Sequence, residues 1–383
     1  MKKNKVKNVG ILTLPLVNNY GGILQAFALK RVINSMGLDT TLIDYRRVQP
    51  KRFKIVEMMF KNALKKTIFR HRKMKIAETP LMSKSISINA ELFIANELVP
   101  KTDPIFNFKD LKNLNKSIDA FVVGSDQVWR PDYTPNIRRY FLDFVDTSKL
   151  KISYAASFGT DKLKFNKSDL EYCKSNLAKF NAISVRENSG IEIVNDLFSC
   201  KSEFVLDPTM LLDKSDYLSL CDKYKTTNSD GNLFCYILDK NKFNQNVIDT
   251  VSNKMSLKAF EIKPKDVDFE YRNDREEYIY PHITKWIKAF IDSDYVIVDS
   301  FHGCVFSIIF NKPFIAIGNV ERGLTRFKSL LGIFNLEGRL ITSNDSFDID
   351  MIEYDYNWNE VNTIMESYQK LSKDFLANSF SGI

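Results

Sequence analysis

Short apolar runs, rich in β-branched and aromatic residues, alternate along this chain with segments whose apolar residues are three or four positions apart. The first pattern is typical of buried strands and the second of helices. The strand-like runs are residues 9–14, 40–43, 120–123, 140–144, 152–156, 182–185, 204–206, 233–238, 258–262, 295–298 and 314–317. This alternation predicts an α/β fold, with 140–144 as a short edge strand.

The clearest unit is residues 293–318, where strands at 295–298 and 314–317 flank a helix at 304–310. The loop between the first strand and the helix contains Asp299, Ser300, Phe301, His302 and Gly303. In open α/β sheets, ligands bind beyond the carboxyl ends of strands and near helix N-termini. His302 is therefore the leading candidate for chemistry, and a histidine tucked into the core is the alternative interpretation.

Polar loops also follow three other predicted strands. Gly21 and Gly22 lie between the first strand and its helix, where they would let a ligand approach the backbone, or would only make a tight turn. Residues 124–129 follow the strand at 120–123, and Arg186 follows the strand at 182–185. An arginine at that position suits a carboxylate or phosphate, and pairing with its neighbour Glu187 is the alternative.

The chain of 383 residues is long enough for two domains. Residues 223–232 are polar and predict a linker. We therefore expect a Rossmann-like domain over 1–222, a second over 223–357, and a C-terminal helix over 358–383 that packs back on the first domain. The two domains would face each other across a cleft.

Positive charge is concentrated in one segment. The chain has a formal net charge of +8, yet residues 46–75 hold twelve Lys or Arg and one acidic residue. Apolar residues three or four apart within 53–68 make this segment a basic amphipathic helix. It suits an anionic membrane surface. The alternative is a solvated face above a core-packing stripe, and the absence of a nucleic-acid-binding motif argues against nucleic acid.

Cysteine spacing and hydropathy bear on location. The five cysteines show no C-x-x-C spacing, so neither a disulfide framework nor a zinc site is expected. No apolar run reaches the roughly 20 residues of a transmembrane helix, and the N-terminus lacks the pattern of a signal peptide. We expect a cytoplasmic protein, with a peripheral contact at the inner face of the cytoplasmic membrane.

Six segments, read together, carry a family resemblance. They are G-I-L-T-L with N-N-Y-G-G-I-L-Q-A-F-A-L, then V-V-G-S-D-Q-V-W, K-I-S-Y-A-A-S-F-G, I-S-V-R-E-N-S-G, V-L-D-P-T-M-L-L and V-I-V-D-S-F-H-G-C-V-F-S-I-I-F-N-K-P-F-I-A-I-G. In this order they resemble the polysaccharide pyruvyl transferase family over nearly the whole chain. The resemblance implies two Rossmann-like domains of the GT-B kind and transfer of pyruvate from phosphoenolpyruvate to sugar hydroxyls, usually as a cyclic ketal.

The resemblance also suggests how the donor is held. It implies that His302 is the general acid or base and that arginines hold the donor's anionic groups. The S-F-H-G form recurs among family members, whereas other members have Arg-Leu-His at this place. Here Ser300 and Phe301 replace Arg-Leu, so an anion contact made by that arginine is either absent or supplied by another arginine, such as Arg322 or Arg326. The expected donor-binding residues are Arg186, Ser300, Phe301, His302, Gly303, Arg322 and Arg326, with Arg186 also expected in catalysis.

The first domain is expected to bind the sugar. The expected acceptor-binding residues are Asn19, Tyr20, Gly21, Gly22, Ser125, Asp126, Gln127 and Trp129. Trp129 would stack on a sugar face, and Asp126 and Gln127 would contact its hydroxyls. The alternatives are a core position for Trp129 and a helix cap for Asp126.

No cofactor and no metal are expected, because phosphoenolpyruvate is a co-substrate and no ligand-spaced cluster is present. The expected partners are phosphoenolpyruvate, a sugar acceptor that a lipid carrier can hold, and an anionic membrane contacted through 46–75. One rival function is a GT-B glycosyltransferase that uses a nucleotide-sugar, against which stands the lack of a nucleotide-ribose signature. Another is a non-catalytic carbohydrate- or membrane-binding protein.

Overall fold

The structure is a computed structural model. It describes residues 6–48, 53–57, 59–61, 78–160, 163–268, 271, 275–319, 323–343 and 347–381. In this part of the chain, two parallel sheets are built one after the other.

The first sheet has six strands in the order β2-β1-β3-β4-β5-β6. Its strands are β1 (Asn8–Leu12), β2 (Asp39–Ile43), β3 (Ala120–Asp126), β4 (Leu150–Ala156), β5 (Ala182–Val185) and β6 (Glu203–Phe204). All seven residues of β3 and of β4 are buried, as expected for central strands covered on both faces. The helices of this half are α1 (Tyr20–Ser35), α2 (Pro80–Ile86), α3 (Ile88–Glu97), α4 (Phe108–Asn113), α5 (Lys167–Leu177), α6 (Asn188–Asp196) and α7 (Lys214–Lys223).

The second sheet has five strands in the order β11-β10-β9-β7-β8. Its strands are β7 (Leu233–Tyr236), β8 (Ala259–Phe260), β9 (Tyr295–Val298), β10 (Phe314–Gly318) and β11 (Leu340–Thr342). The helices of this half are α8 (Lys242–Met255), α9 (Ile283–Asp292), α10 (Phe301–Ile309) and α11 (Thr325–Ile333), followed by the long C-terminal helix α12 (Trp358–Ser381). The predicted β-α-β unit is confirmed as β9, α10 and β10.

Both strand orders reverse direction beside a loop that the sequence singled out. In the first sheet, β1 lies between β2, the next strand in the chain, and β3, from which the order continues in the opposite direction. In the second sheet, β7 lies in the same way between β8 and β9. At such a switch point, the connections leave on opposite faces and open a crevice beyond the strand ends. Asp126 ends β3 at the first crevice, and His302 follows β9 at the second.

One predicted strand is wrong. Instead of an edge strand at 140–144, a 3₁₀ helix (Ile137–Phe141) begins where the Asn136 side chain accepts a hydrogen bond from the amide of Arg138. Tyr140 and Phe141 are fully buried, and Phe141 stacks on Trp129 with ring centroids 5.3 Å apart. The aromatic run was therefore a core-packing pattern and not a sheet-pairing one.

An apolar interface joins the two halves. Residues of both sheets and of α1, α9 and α10 belong to one continuous buried cluster. Across it, the ring centroids of Tyr20 and Trp286 lie 5.7 Å apart, and those of Tyr217 and Phe306 lie 5.0 Å apart. Helix α12 adds a further tie, because its Ser372 hydroxyl accepts a hydrogen bond from the amide of Leu206 at 3.0 Å.

The basic segment lies mostly outside the described residues. Within it, 53–57 and 59–61 are helical. Phe53, Val56 and Phe60, at positions i, i+3 and i+7 of this helix, are 82%, 62% and 68% exposed. The apolar stripe of this part does not pack into the core. Elsewhere in the described chain, no helix combines the length and apolarity needed to cross a membrane.

Candidate active site

Helix α10 begins with the loop that carries the leading sequence candidate. The Ser300 side chain accepts a hydrogen bond from the amide of Gly303 at 3.1 Å and so caps the helix. Asp299 accepts from the backbone amides of residues 238 and 239, both at 2.8 Å, which ties this loop to the end of β7. The loop therefore holds His302 in a fixed place at the edge of the second sheet.

The imidazole of His302 reaches across to the first half of the chain. Gly21, at the start of α1, lies so close that a Cβ atom there would be 2.2 Å from Cγ and Nδ1 of the ring. The Nε2 atom is enclosed, lacks a hydrogen-bond partner in the described chain, and is 3.6 Å from Oδ2 of Asp207. That separation is slightly beyond hydrogen-bond length, so a small approach would form the bond.

Asp207, which follows β6, connects the residues of the site through its hydrogen bonds. Its Oδ1 accepts from the amide and hydroxyl of Thr209, and its Oδ2 accepts from Ser125 at 3.2 Å and Arg186 at 2.7 Å. Burial alone would raise the pKa of Asp207, but the charge of His302, together with Arg186 and Thr209, holds this pKa well below its usual value. The stabilisation is thus present above the ordinary carboxyl pKa of about 3.9 and is lost as pH falls below it.

Arg186 is paired within the protein. Its side chain is 1% exposed, and it donates to Asp207 at 2.7 Å and to Asp126 at 2.9 Å. Its guanidinium carbon also lies 4.3 Å from the ring centre of Phe301. Burial acts to lower the pKa of Arg186, but Asp126, Asp207 and Glu187 raise it, so the guanidinium stays charged. The two terminal nitrogens of Arg186 are therefore taken by carboxylates of the protein in this structure, while its Nε has no hydrogen-bond partner among the described residues.

A second buried carboxyl lies next to Arg186. Glu187 accepts from the amide of Phe158 through Oε1, while its Oε2 has no hydrogen-bond partner among the described residues. Burial raises the pKa of Glu187 despite the nearby charges of Arg186 and Arg326. The region where the carboxyl ends of the two sheets meet, called the seam below, therefore contains two different carboxylates. Both oxygens of Asp207 accept hydrogen bonds, whereas Oε2 of Glu187 accepts none from the described residues.

Arg326 is the expected donor residue that remains available. Burial is the main factor that lowers its pKa, followed by repulsion from Arg186. Its Nε atom is enclosed without a hydrogen-bond partner, and no ion pair joins it to another described residue. The side chain as a whole remains partly exposed. Arg322, the other arginine expected here, lies outside the described residues.

In the first expected acceptor loop, most groups already have structural partners. Asn19 accepts from the amide of Gly22 at 3.1 Å and caps α1. The Tyr20 hydroxyl donates to the carbonyl of Pro281 at 2.9 Å and is buried in the interface. Asn19 remains exposed at the seam, whereas Tyr20 joins the two halves of the chain and is not open to a sugar.

In the second expected acceptor loop, two residues are out of reach. Trp129 is fully buried, and its indole N–H donates to the carbonyl of Tyr140 at 3.1 Å. Ser125 is equally buried and donates to the carbonyl of Ala155 at 2.9 Å. In this structure Trp129 and Ser125 are therefore not exposed to an acceptor, because aromatic packing and backbone hydrogen bonds occupy them. Gln127 stays partly exposed.

Sequence reasoning missed Asp207 and Gln25. Gln25 is fully buried in α1 and accepts from the amide of Ser125 at 2.9 Å, so it supports the loop that ends β3. The signal for Asp207 was its place after a strand, in V-L-D-P-T-M-L-L, a segment that carried the family resemblance but from which no site residue was predicted. No group of three His, Cys, Asp or Glu in the described chain is arranged as metal ligands are.

The arrangement suits proton transfer beside an anion. A histidine backed by a carboxylate can give or take a proton, because the carboxylate stabilises the protonated ring. Arg326 adds a positive charge whose Nε–H has no hydrogen-bond partner in the described chain. Both groups lie where the carboxyl ends of the two sheets meet.

Comparison with known protein families gives a match over most of the chain. A family model described as polysaccharide pyruvyl transferase matches residues 19–321. This range includes Gly21, Arg186, Asp207 and His302, so it spans the residues that meet at the seam. A comparison with curated protein sequences gives no significant match.

Solved structures resemble the chain in fold. The structure of Arabidopsis thaliana UGT89C1 complexed with UDP-L-rhamnose has a TM-score of 0.54 and 9% identity, covering 99% of this chain and 100% of that chain. Escherichia coli ADP-heptose lps heptosyltransferase II has a TM-score of 0.37 and 8% identity, with 94% and 99% covered. The Arabidopsis structure is a GT-B glycosyltransferase, and together with the two parallel sheets of this chain it confirms the predicted fold class of two parallel-sheet α/β domains.

The contact between Gly21 and His302 can be tested by substitution. Because a Cβ atom would overlap the ring, Gly21→Ala should lower the free energy of unfolding by about 1–3 kcal/mol, against the usual helix preference for alanine. In a His302→Ala background, the same substitution should cost little. Urea unfolding of both singles and the double variant measures this coupling. Gly338→Ala, with no atom within 4 Å of the added Cβ, is the control. Equal costs in both backgrounds would contradict the contact.

Proposed function

The chain belongs to the polysaccharide pyruvyl transferase family, and we propose that it moves pyruvate from phosphoenolpyruvate to two hydroxyls of a sugar as a cyclic ketal. The observation that carries the proposal is the close approach of His302 to Asp207, with Nε2 3.6 Å from Oδ2, where the two sheets meet. The acceptor is proposed to be a precursor of a surface or capsular polysaccharide repeat unit. No cofactor besides this co-substrate is proposed.

The reaction defines what the site must supply. A proton adds to the methylene carbon of phosphoenolpyruvate, and positive charge develops on the carbon that bears the phosphate. One sugar hydroxyl attacks that carbon and loses its proton, the C–O bond to phosphate breaks, and a second hydroxyl closes the ketal. The products are the ketal and inorganic phosphate, with the two hydroxyl protons balanced by the new methyl hydrogen and by hydrogen phosphate.

His302 is proposed as the group that handles these protons. Histidine is the side chain that most often gives or takes a proton in general acid–base catalysis. Asp207 lies 3.6 Å from Nε2 of His302 and would stabilise the ring when it carries a proton. Arg186 holds Asp207 and Asp126 in place. Gly21 leaves room for the ring and, with exposed Asn19, forms the proposed acceptor side.

A second candidate function is glycosyl transfer from a nucleotide-sugar. The GT-B fold favours it, because the Arabidopsis structure with that fold is a complex with UDP-L-rhamnose. Fold likeness at this identity does not carry a substrate. The two functions differ in their products, since only the first releases inorganic phosphate from phosphoenolpyruvate.

The central prediction is that phosphate release from phosphoenolpyruvate depends on an acceptor sugar and on His302. With the acceptor present, His302→Gln should lower turnover by about 10²- to 10⁴-fold, the usual range for loss of general acid–base catalysis. Phosphate release is measured across lipid-linked and synthetic galactosides, glucosides, mannosides and N-acetylhexosaminides. His282→Gln, at a histidine that caps α9, is the matched control. Unchanged turnover in His302→Gln, or transfer from a nucleotide-sugar alone, would contradict the proposal.

We also propose that the basic segment contacts an anionic membrane from the cytoplasmic side. Residues 46–75 carry a large excess of Lys and Arg. The described part of the segment leaves Phe53, Val56 and Phe60 exposed on one helix face. Apolar residues and positive charge together are what an anionic bilayer surface binds, with about 1 kcal/mol per basic residue near the surface. A sugar acceptor attached to a lipid carrier would reach the protein at that membrane surface.

Binding to vesicles tests this surface. The wild-type chain should sediment with phosphatidylglycerol vesicles and not with phosphatidylcholine vesicles. Replacing Phe53, Val56 and Phe60 together by Ser should weaken sedimentation by at least about tenfold, because the inserted apolar area is lost. Leu371→Ser, at an exposed apolar residue of α12, should sediment like the wild type. Unchanged binding after deletion of residues 51–75 would rule the surface out.

A further inference from the structure

We propose that Glu187, from the first half of the chain, and Arg326, from the second, form an ion pair across the seam when the two halves close. Glu187 is then a positioning residue, because it holds the guanidinium of Arg326 in one orientation. This inference goes beyond the proposed function, since the ion pair does not depend on which donor or acceptor the protein uses. It concerns a buried carboxylate to which the proposed reaction gives no role.

The contacts of α11 place Arg326 opposite Glu187. Arg326 is in the first turn of α11. Three residues further on, the hydroxyl of Ser329 accepts a hydrogen bond from the amide of Asn188 at 3.0 Å. Residues three apart on a helix are neighbours on its surface. The part of α11 that carries Arg326 is therefore packed against the start of α6, directly after Glu187.

The chain before Arg326 also contacts the surroundings of Glu187. Oε1 of Glu187 accepts a hydrogen bond from the amide of Phe158 at 3.1 Å, which holds the carboxylate against this loop. A Cβ atom on Gly323 would lie 3.7 Å from the carbonyl oxygen of Gly159, in the same loop. The chain on both sides of Arg326 thus contacts the chain on both sides of the Glu187 carboxylate, so the two opposite charges face each other.

The charges of the two halves are complementary. In the first half, three carboxylates surround the guanidinium of Arg186, namely those of Asp126, Asp207 and Glu187. The first two accept hydrogen bonds from it, whereas Oε2 of Glu187 is 3.8 Å from its Nε, beyond hydrogen-bond length. One guanidinium does not compensate three carboxylates. Arg326 brings a positive charge to this group from the other half.

Arg326 differs from the other buried arginines in having no partner of its own. Arg339, for example, donates to the carbonyl of Met351 and has its guanidinium carbon 4.0 Å from the ring centre of Tyr354. Within the described chain, Arg326 makes no hydrogen bond, ion pair or ring contact of this kind. Its Nε and Oε2 of Glu187 are both enclosed without a hydrogen-bond partner. A bond between these two atoms would satisfy both buried groups at once.

One closing movement would complete both pairs that cross the seam. His302 of the second half is 3.6 Å from Asp207 of the first, just beyond hydrogen-bond length. Glu187 and Arg326 are likewise adjacent without forming an ion pair. A bond through Nε leaves the two terminal nitrogens of Arg326 available to a ligand, so the ion pair orients this arginine without occupying it fully.

A double-mutant cycle tests the ion pair. The folding equilibrium constant is measured by urea unfolding for the wild type, Glu187→Gln, Arg326→Gln and the double variant. Each single substitution should lower this constant by at least about tenfold, and the double variant should lose about as much as one single, because the same interaction is removed in all three. Arg326→Lys keeps the charge without the forked geometry and should lose less than Arg326→Gln.

The control and the opposite outcome are equally defined. Arg138→Gln, whose partner Asp169 lies within the first half, should add its loss to that of Glu187→Gln without coupling. If Glu187 has no partner, removing its buried charge should leave the equilibrium constant unchanged or raise it, and that result would overturn the inference. Additive losses in the cycle would overturn it as well. None of these measurements uses phosphoenolpyruvate, so the inference and the proposed function can fail separately.

Hydrogen exchange gives a second, local readout. The amide of Asn188 is protected by Ser329 only while the two halves are in contact. Both Glu187→Gln and Arg326→Gln should therefore speed exchange at residue 188 by about tenfold. Gln at position 187 keeps an oxygen that can accept from Phe158, so exchange at residue 158 should change less. Faster exchange at residue 158 with unchanged exchange at residue 188 would show a merely structural role for Glu187 and contradict the ion pair.

Discussion

The carboxylate of Asp207 is the contact on which the rest of the site depends. It is fully buried, and it binds Thr209, Ser125 and Arg186 while standing 3.6 Å from the ring of His302. Removing one partner of a buried ion pair typically costs about 3–5 kcal/mol, since the remaining charge stays uncompensated. Asp207 therefore fixes the loops after β3, β5 and β6 together and presents one fixed charge to the other sheet.

This arrangement follows from two sheets that meet at their carboxyl edges. Each sheet reverses its strand order beside one loop, and these loops bring Asp126 from one side and His302 from the other. The apolar interface of Tyr20, Trp286, Tyr217 and Phe306 holds the sheets at this separation. A site divided between two domains can bind a donor on one side and an acceptor on the other.

The sequence predicted the architecture well because strand and helix periodicities are local signals. The β-α-β unit around His302 and the two parallel-sheet domains were predicted from such local signals. The partners of Arg186 could not be predicted, since Asp126 and Asp207 are 60 and 21 residues away along the chain. Trp129 was ambiguous for a similar reason, because an aromatic residue after a strand suits either a sugar or a core.

The most direct test of this account is a crystal structure with phosphoenolpyruvate bound. The account predicts that the methylene carbon faces His302 within about 4 Å, close to the contact distance for a reacting pair. It also predicts the anionic end of the donor beside Arg326. A donor bound with its methylene carbon away from His302, or at a place remote from the seam, would contradict the central claim.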